Sequence, residues 1–188
     1  MTRRALLLAA LATSLTASLA APARRAHAER IVLPGVALLD QSGTPRSLAG
    51  IARGRPVVLS FFFTGCTTIC PPQTAAMQVL QEELRGTAGA RPLLLSITLD
   101  PLGDTPEAMR DYAGRFGLLL GPEHDWFLLG GDPQALQRVW TAFGQPGSRP
   151  EEHAAQIWLG APDGRAWRRV GALTPPGQVA SMLREMVP

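Results

Sequence analysis

Residues 56–72 read PVVLSFFFTGCTTICPP, and the fold follows from how that string changes character along its length. Pro56 to Phe63 is a continuous apolar run rich in β-branched and aromatic residues. Such a run suits a central strand buried on both faces. It ends at Thr64-Gly65, where the absence of a Cβ lets the backbone turn sharply. Pro71-Pro72 then open a helical pattern from Gln73 to Leu84, because proline is tolerated in a first helical turn. Ala76, Val79, Leu80 and Leu84 share one face of that pattern. Between strand and helix stand Cys66 and Cys70, the only cysteines in the 188 residues.

Working outward, Ile31 to Leu39 and the polar run Asp40 to Pro45 predict a strand entering a turn, the start of an N-terminal hairpin. Downstream, Pro92 to Leu99 repeats the buried-strand pattern. Asp104-Thr105-Pro106-Glu107 is a helix start with an acidic first turn, followed by an apolar stripe of Met109, Tyr112, Ala113 and Phe116. Trp126 to Leu129 predicts a third core strand and Pro133 to Phe143 a third helix. Ala154 to Leu159 and Ala166 to Val170 flank the Pro162-Asp163-Gly164 turn as a terminal hairpin, and Pro176 to Met186 predicts a closing helix. Parallel βαβ units ending in an antiparallel hairpin are the order of a thioredoxin-like α/β fold: a central mixed sheet flanked by helices, with an N-terminal hairpin extension. No G-x-G-x-x-G turn follows the first core strand, which argues against a dinucleotide-binding fold. The four tryptophans, Trp126, Trp140, Trp158 and Trp167, read as core packing.

The first 28 residues stand apart. Arg3-Arg4, the apolar run from Ala5 to Ala21 and the small-residue site Ala26-His27-Ala28 predict an export signal cleaved before Glu29, of secretory or twin-arginine type. The rival reading is an uncleaved membrane anchor, for which a run diluted by Thr13, Ser14, Thr16 and Ser18 is marginal. A single domain over 29–188 is then expected, in the periplasm. This division changes the meaning of the charge. The whole chain carries +3, but the mature part keeps 14 arginines against 15 acidic residues, a formal charge of −1. No basic stripe remains to neutralise phosphates, so a nucleic-acid partner is excluded. The chain contains no lysine, which excludes Schiff-base chemistry and a P-loop lysine.

Cys66 and Cys70 face the same way if the segment between them winds through one helical turn. Both sulfurs are then close enough to share a metal ion or to form a disulfide. A bridge closing so small a loop contributes little stability, so a purely structural disulfide is the weaker reading. The spacing is not C-x-x-C, and two thiols cannot complete a structural zinc site. Two soft thiolates with one imidazole suit Cu(I). His27 falls in the signal and His124 in a polar turn. His153 precedes the strand Ala154 to Leu159, where it either faces the cysteines or lies at the surface.

Three blocks carry a family resemblance. Phe63 to Pro71 is similar to an F-x-x-T-x-C-x-x-x-C-P motif. Ser96 to Glu107 is similar to an S-x-D-P-x-x-D-T-P block with one extra residue before its first Asp. The third is His153 with the following strand and Pro162-Asp163-Gly164. On these blocks, roughly from Leu33 to Val170, the chain resembles the Sco/SenC family of copper-binding, thioredoxin-like proteins. The resemblance implies that Cys66, Cys70 and His153 ligate copper, as Cu(I) or Cu(II), and that Asp100 tunes the site from behind a ligand. Asp104 reads instead as a helix-capping or turn residue. The resemblance further implies a metallochaperone for the CuA-bearing subunit of cytochrome c oxidase, served by a periplasmic thiol reductant. The alternative is a thiol–disulfide oxidoreductase in which Cys66 attacks and Cys70 resolves. Glu152 departs from the family pattern, which usually has Asp before the histidine.

Overall fold

The computed structural model describes residues 28–86, 91–145 and 149–187. The expected export signal therefore lies outside the described residues, apart from Ala28. No helix among the described residues is long and apolar enough to cross a membrane.

The described residues build one eight-stranded mixed sheet and five α-helices. In order these are β1 (Glu29–Arg30), β2 (Ala37–Asp40), β3 (Pro45–Ser47), α1 (Leu48–Ala52), β4 (Val57–Phe62), α2 (Cys70–Leu84), β5 (Leu93–Thr98), α3 (Pro106–Phe116), β6 (Trp126–Gly130), α4 (Pro133–Ala142), β7 (Gln156–Gly160), β8 (Ala166–Gly171) and α5 (Pro176–Arg184). The strand order is β1-β8-β7-β4-β5-β6-β2-β3. β4, β5 and β6 pair in parallel through helical crossovers, while β7 and β8 add antiparallel to β4. The β2–β3 hairpin extends the other edge by pairing with β6. This is the thioredoxin-like mixed sheet that the sequence predicts.

β4 reads as a continuous apolar run because each of its faces is covered. Val57, Leu59 and Phe61 pack with α1, α4, Trp158 and Trp167. Val58 meets α2 and α5, and Phe62 meets α3 and the two cysteines. All four tryptophans are buried. One polar chain crosses the core: Trp126 Nε1 donates to Ser96 Oγ at 3.1 Å, which lies 2.9 Å from Ser60 Oγ.

Two details differ from the sequence reading. α2 begins at Cys70, three residues early, so a working cysteine is its first helical residue. Its buried face is Cys70, Gln73, Thr74, Met77, Leu80, Gln81 and Leu84, whereas Val79 is 50% exposed. Apolar periodicity misplaced the stripe because two glutamines are buried as donors. Gln73 Nε2 donates to Phe61 O at 2.8 Å, and Gln81 Nε2 to Leu119 O and His124 O. A buried amide with partners is tolerated where an unpaired one is not.

Gly160 marks the tightest approach in the core. A Cβ there would stand 2.8 Å from two ring carbons of Trp167. That indole is fully buried, lies 5.0 Å edge-on to Phe143 and donates Nε1 to Ile31 O at 3.1 Å. Gly160→Ala is therefore expected to lower unfolding stability by about 1–3 kcal/mol through overpacking. Urea denaturation followed by tryptophan fluorescence checks this, and an unchanged midpoint contradicts it.

Candidate metal centre

The two cysteines lie at the carboxyl end of β4. Phe63 O accepts from Cys66 N at 3.1 Å, closing a tight turn with Thr64 and Gly65 at its centre. α2 then starts without a side-chain cap, because its N-cap is Ile69. A helix start leaves four N–H positions without intrahelical partners. Here they fall on Ile69, Cys70, Pro71 and Pro72, and the prolines carry no N–H. Gln73 N already donates to Ile69 O at 3.0 Å. The N–H of Cys70 points at Cys66 Sγ, 3.3 Å away, so sulfur fills the place of a capping oxygen.

This arrangement splits the two thiols. Burial pushes the Cys66 thiol up, but hydrogen bonds from the Cys70 thiol and N–H and from Thr68 outweigh it and hold Cys66 below its ordinary value. The positive end of the helix dipole favours the same anionic form. Cys70 is fully buried, and burial together with its hydrogen bond to Cys66 pushes it up to about 12. Cys66 is thus the more acidic thiol of the pair, and Cys70 the protonated thiol that supports it. Both are free.

His153 follows a 3-10 turn at Pro150–Glu152. Its Nδ1 lies 2.7 Å from Pro150 O, which makes Nδ1 the protonated nitrogen and leaves Nε2 as the bare acceptor. Nε2 is buried without a hydrogen-bond partner. The imidazole stands edge-on to Phe63, with ring centres 6.4 Å apart, three residues before Cys66. Among the described residues, no group of three or more His, Cys, Asp or Glu side chains is arranged to hold a metal ion. The structure therefore joins Cys66 to Cys70, and sets His153 beside their loop rather than in one cluster with them.

Asp100 and Asp104 are held in different ways. Asp100 Oδ1 accepts from Gly103 N at 2.9 Å and Leu102 N at 3.3 Å, closing its own turn. The helix cap is Thr105, whose Oγ1 accepts from Ala108 N. Asp104, 2% exposed, instead reaches Thr64 in the cysteine loop and Thr98 at the end of β5. Burial pushes its carboxyl up against the opposing hydrogen bonds from Thr64 and Thr98. Sequence reading missed this tie because D-T-P is also an ordinary helix start. The same holds for Tyr112, whose hydroxyl lies 2.6 Å from Thr74 Oγ1 in the apolar cluster that holds both cysteines. His124, expected in a polar turn, lies on the far side of α2, where its carbonyl accepts from Gln81.

Comparisons with known proteins give the family. The SCO1/SenC family model matches residues 28–188. A Stutzerimonas stutzeri protein with the provisional name of a copper-binding protein is 31% identical over 145 residues, 70% of this chain and 65% of its own length. The SCO1 homologue of Bacillus subtilis is 30% identical over 133 residues, 67% of this chain and 66% of its own. The chain thus spans just under two thirds of each relative. The solved structure of BsSco, described with a disulfide switch and as a member of the Sco family of cytochrome c oxidase assembly proteins, superposes with a TM-score of 0.72. It is 25% identical, over 85% of this chain and 95% of that one.

The thiol asymmetry is open to direct measurement. Iodoacetamide at neutral to mildly alkaline pH is expected to label Cys66 and spare Cys70. The rate for Cys66 should rise with pH about a midpoint below that of a free thiol, because its thiolate is populated at lower pH. Peptide mass mapping across pH reads both, and equal labelling of the two cysteines contradicts the assignment.

Proposed function

The chain belongs to the SCO1/SenC family, and from that premise we propose that it is a copper metallochaperone that assists assembly of the CuA centre of a respiratory cytochrome c oxidase. The observation that carries this reading is the donor set. Cys66 offers a thiolate at a helix start, Cys70 a second sulfur, and His153 a buried, unpartnered Nε2 with its tautomer already fixed by Pro150 O. Two sulfurs and one imidazole are the soft, three-coordinate set that Cu(I) accepts. In this reading His153, which stands beside Phe63 of the cysteine loop, supplies the third bond.

Copper is the cargo in this reading, and transfer proceeds by ligand exchange with the thiols of the receiving subunit. Binding requires both sulfurs reduced, since a disulfide removes two donors. An exported protein meets an oxidising compartment, so a thiol reductant is implied as a second partner. We place the protein in the periplasm, with residues 1–28 as its export signal.

The split thiol environment favours one second reading, a thiol–disulfide oxidoreductase. There, Cys66 thiolate attacks a partner disulfide and one partner sulfur leaves as thiolate. Cys70, losing its proton, then displaces the other partner sulfur. The chain ends as a Cys66–Cys70 disulfide, and the partner gains two electrons and leaves reduced.

An anaerobic Cu(I) titration of the reduced protein against a competing chelator separates the two. One tightly held copper is expected, lost in Cys66→Ser and weakened at least about tenfold in His153→Ala, equivalent to ~1.4 kcal/mol. Copper binding indifferent to His153, or absent beside rapid disulfide exchange, replaces the chaperone by the oxidoreductase.

A further inference from the structure

The loop that presents Cys66 is held from outside. Thr64, at the centre of the turn closed by Cys66 N and Phe63 O, has all three of its polar groups engaged by the segment leading into α3 and by α3 itself. Its N–H donates to Asp104 Oδ1 at 2.9 Å and its hydroxyl to the same oxygen at 2.6 Å. Its carbonyl accepts from Arg115 Nη2 at 3.3 Å. The other carboxylate oxygen, Oδ2, accepts from the Thr98 hydroxyl, and Thr98 Oγ1 accepts in turn from Asp100 N at 2.9 Å. One buried side chain therefore joins the ends of the two central strands, β4 and β5, across the mouth of the site. The backbone packs closely here as well. A Cβ on Gly130 would come within 3.3 Å of both Asp104 O and Thr98 Cγ2, so the glycine leaves room for the clamp.

We infer that Asp104 is a positioning residue for Cys66, fixing the Thr64–Gly65 turn so that the Cys66 sulfur meets the N–H of Cys70. It does not touch the metal or either sulfur's substrate; it acts through Thr64. Only a carboxylate can present two oxygens to three donors in this geometry without bringing in a donor of its own. Sites of this kind depend on such outer hydrogen bonds to hold their reacting atoms in register. Asp40 shows what the same residue does elsewhere. It is 1% exposed, accepts from Ser42, Thr44 and Arg46, and closes the β2–β3 turn, a purely local structural task.

The inference rests on the reading that Cys66 is the working thiol, and the test keeps the two apart. Asp104→Ala, Asp104→Asn, Thr64→Val and Asp40→Ala are compared with the parent protein for thermal stability, Cys66 alkylation rate and Cu(I) affinity. Asp104→Ala is expected to weaken Cu(I) about 10–100-fold, the range for outer-shell partners of metal ligands. It should also shift the Cys66 alkylation rate several-fold. Asp104→Asn, which keeps an oxygen facing Thr64, should recover most of both. Asp40→Ala should lower Tm comparably and leave both site readouts at the parent level. If Asp104→Ala does not fold, Thr64→Val, which deletes only the hydroxyl donor, must still move the alkylation rate. Parent-like alkylation in Asp104→Ala and Thr64→Val, or an equal change in Asp40→Ala, overturns the inference. A parent protein that binds no copper tightly sinks the copper reading alone, because the alkylation comparison still decides the role of Asp104.

Discussion

The hydrogen bond from Cys70 N–H to Cys66 Sγ is the contact on which the site's chemistry depends. It exists because α2 begins with Cys-Pro-Pro after an uncapped Ile69. Proline at two of the four open positions removes donors that would otherwise need partners, and leaves one amide aimed at the sulfur. A serine or aspartate at position 69 would find no amide to accept from at the second and third helical positions, because Pro71 and Pro72 stand there. The helix start therefore makes one cysteine acidic, and burial makes its neighbour the opposite.

This asymmetry is useful for copper and for electrons alike. The more acidic Cys66 thiol begins either ligation or attack, and the protonated Cys70 behind it completes the pair only when something draws its proton away. The fold supplies the frame: β4 and β5 are fully buried parallel strands, so the loops at their carboxyl ends are anchored on rigid stems. His153 stands on a different footing, at the end of a 3-10 turn ahead of β7, where the backbone is held by few bonds. The two sulfurs are held between a fully buried strand and a helix, whereas His153 stands on a loop.

Much of this was legible in residues 56–72. The apolar run of β4, the glycine turn and the paired prolines specify strand, turn and helix by local physics, and the cysteine spacing narrows the chemistry to soft-metal or disulfide work. The buried face of α2 was less legible. Gln73 and Gln81 look like solvent-facing residues in a periodicity count, and become core residues only because carbonyls of β4 and of the α3–β6 loop come to meet their amides. Asp100 and Asp104 sit four residues apart in one polar string, and nothing local distinguishes a turn closer from a clamp.

The sequence by itself determined the order of elements and set two sulfurs at the strand-to-helix turn, because those depend on composition and short-range pattern. Tertiary structure alone decided which aspartate holds the loop and where His153 stands. Both are set by contacts between residues 40 or more positions apart, Thr64 with Asp104 and Phe63 with His153. Such distances are not encoded in any local window; they arise when β4, β5 and β6 are laid side by side.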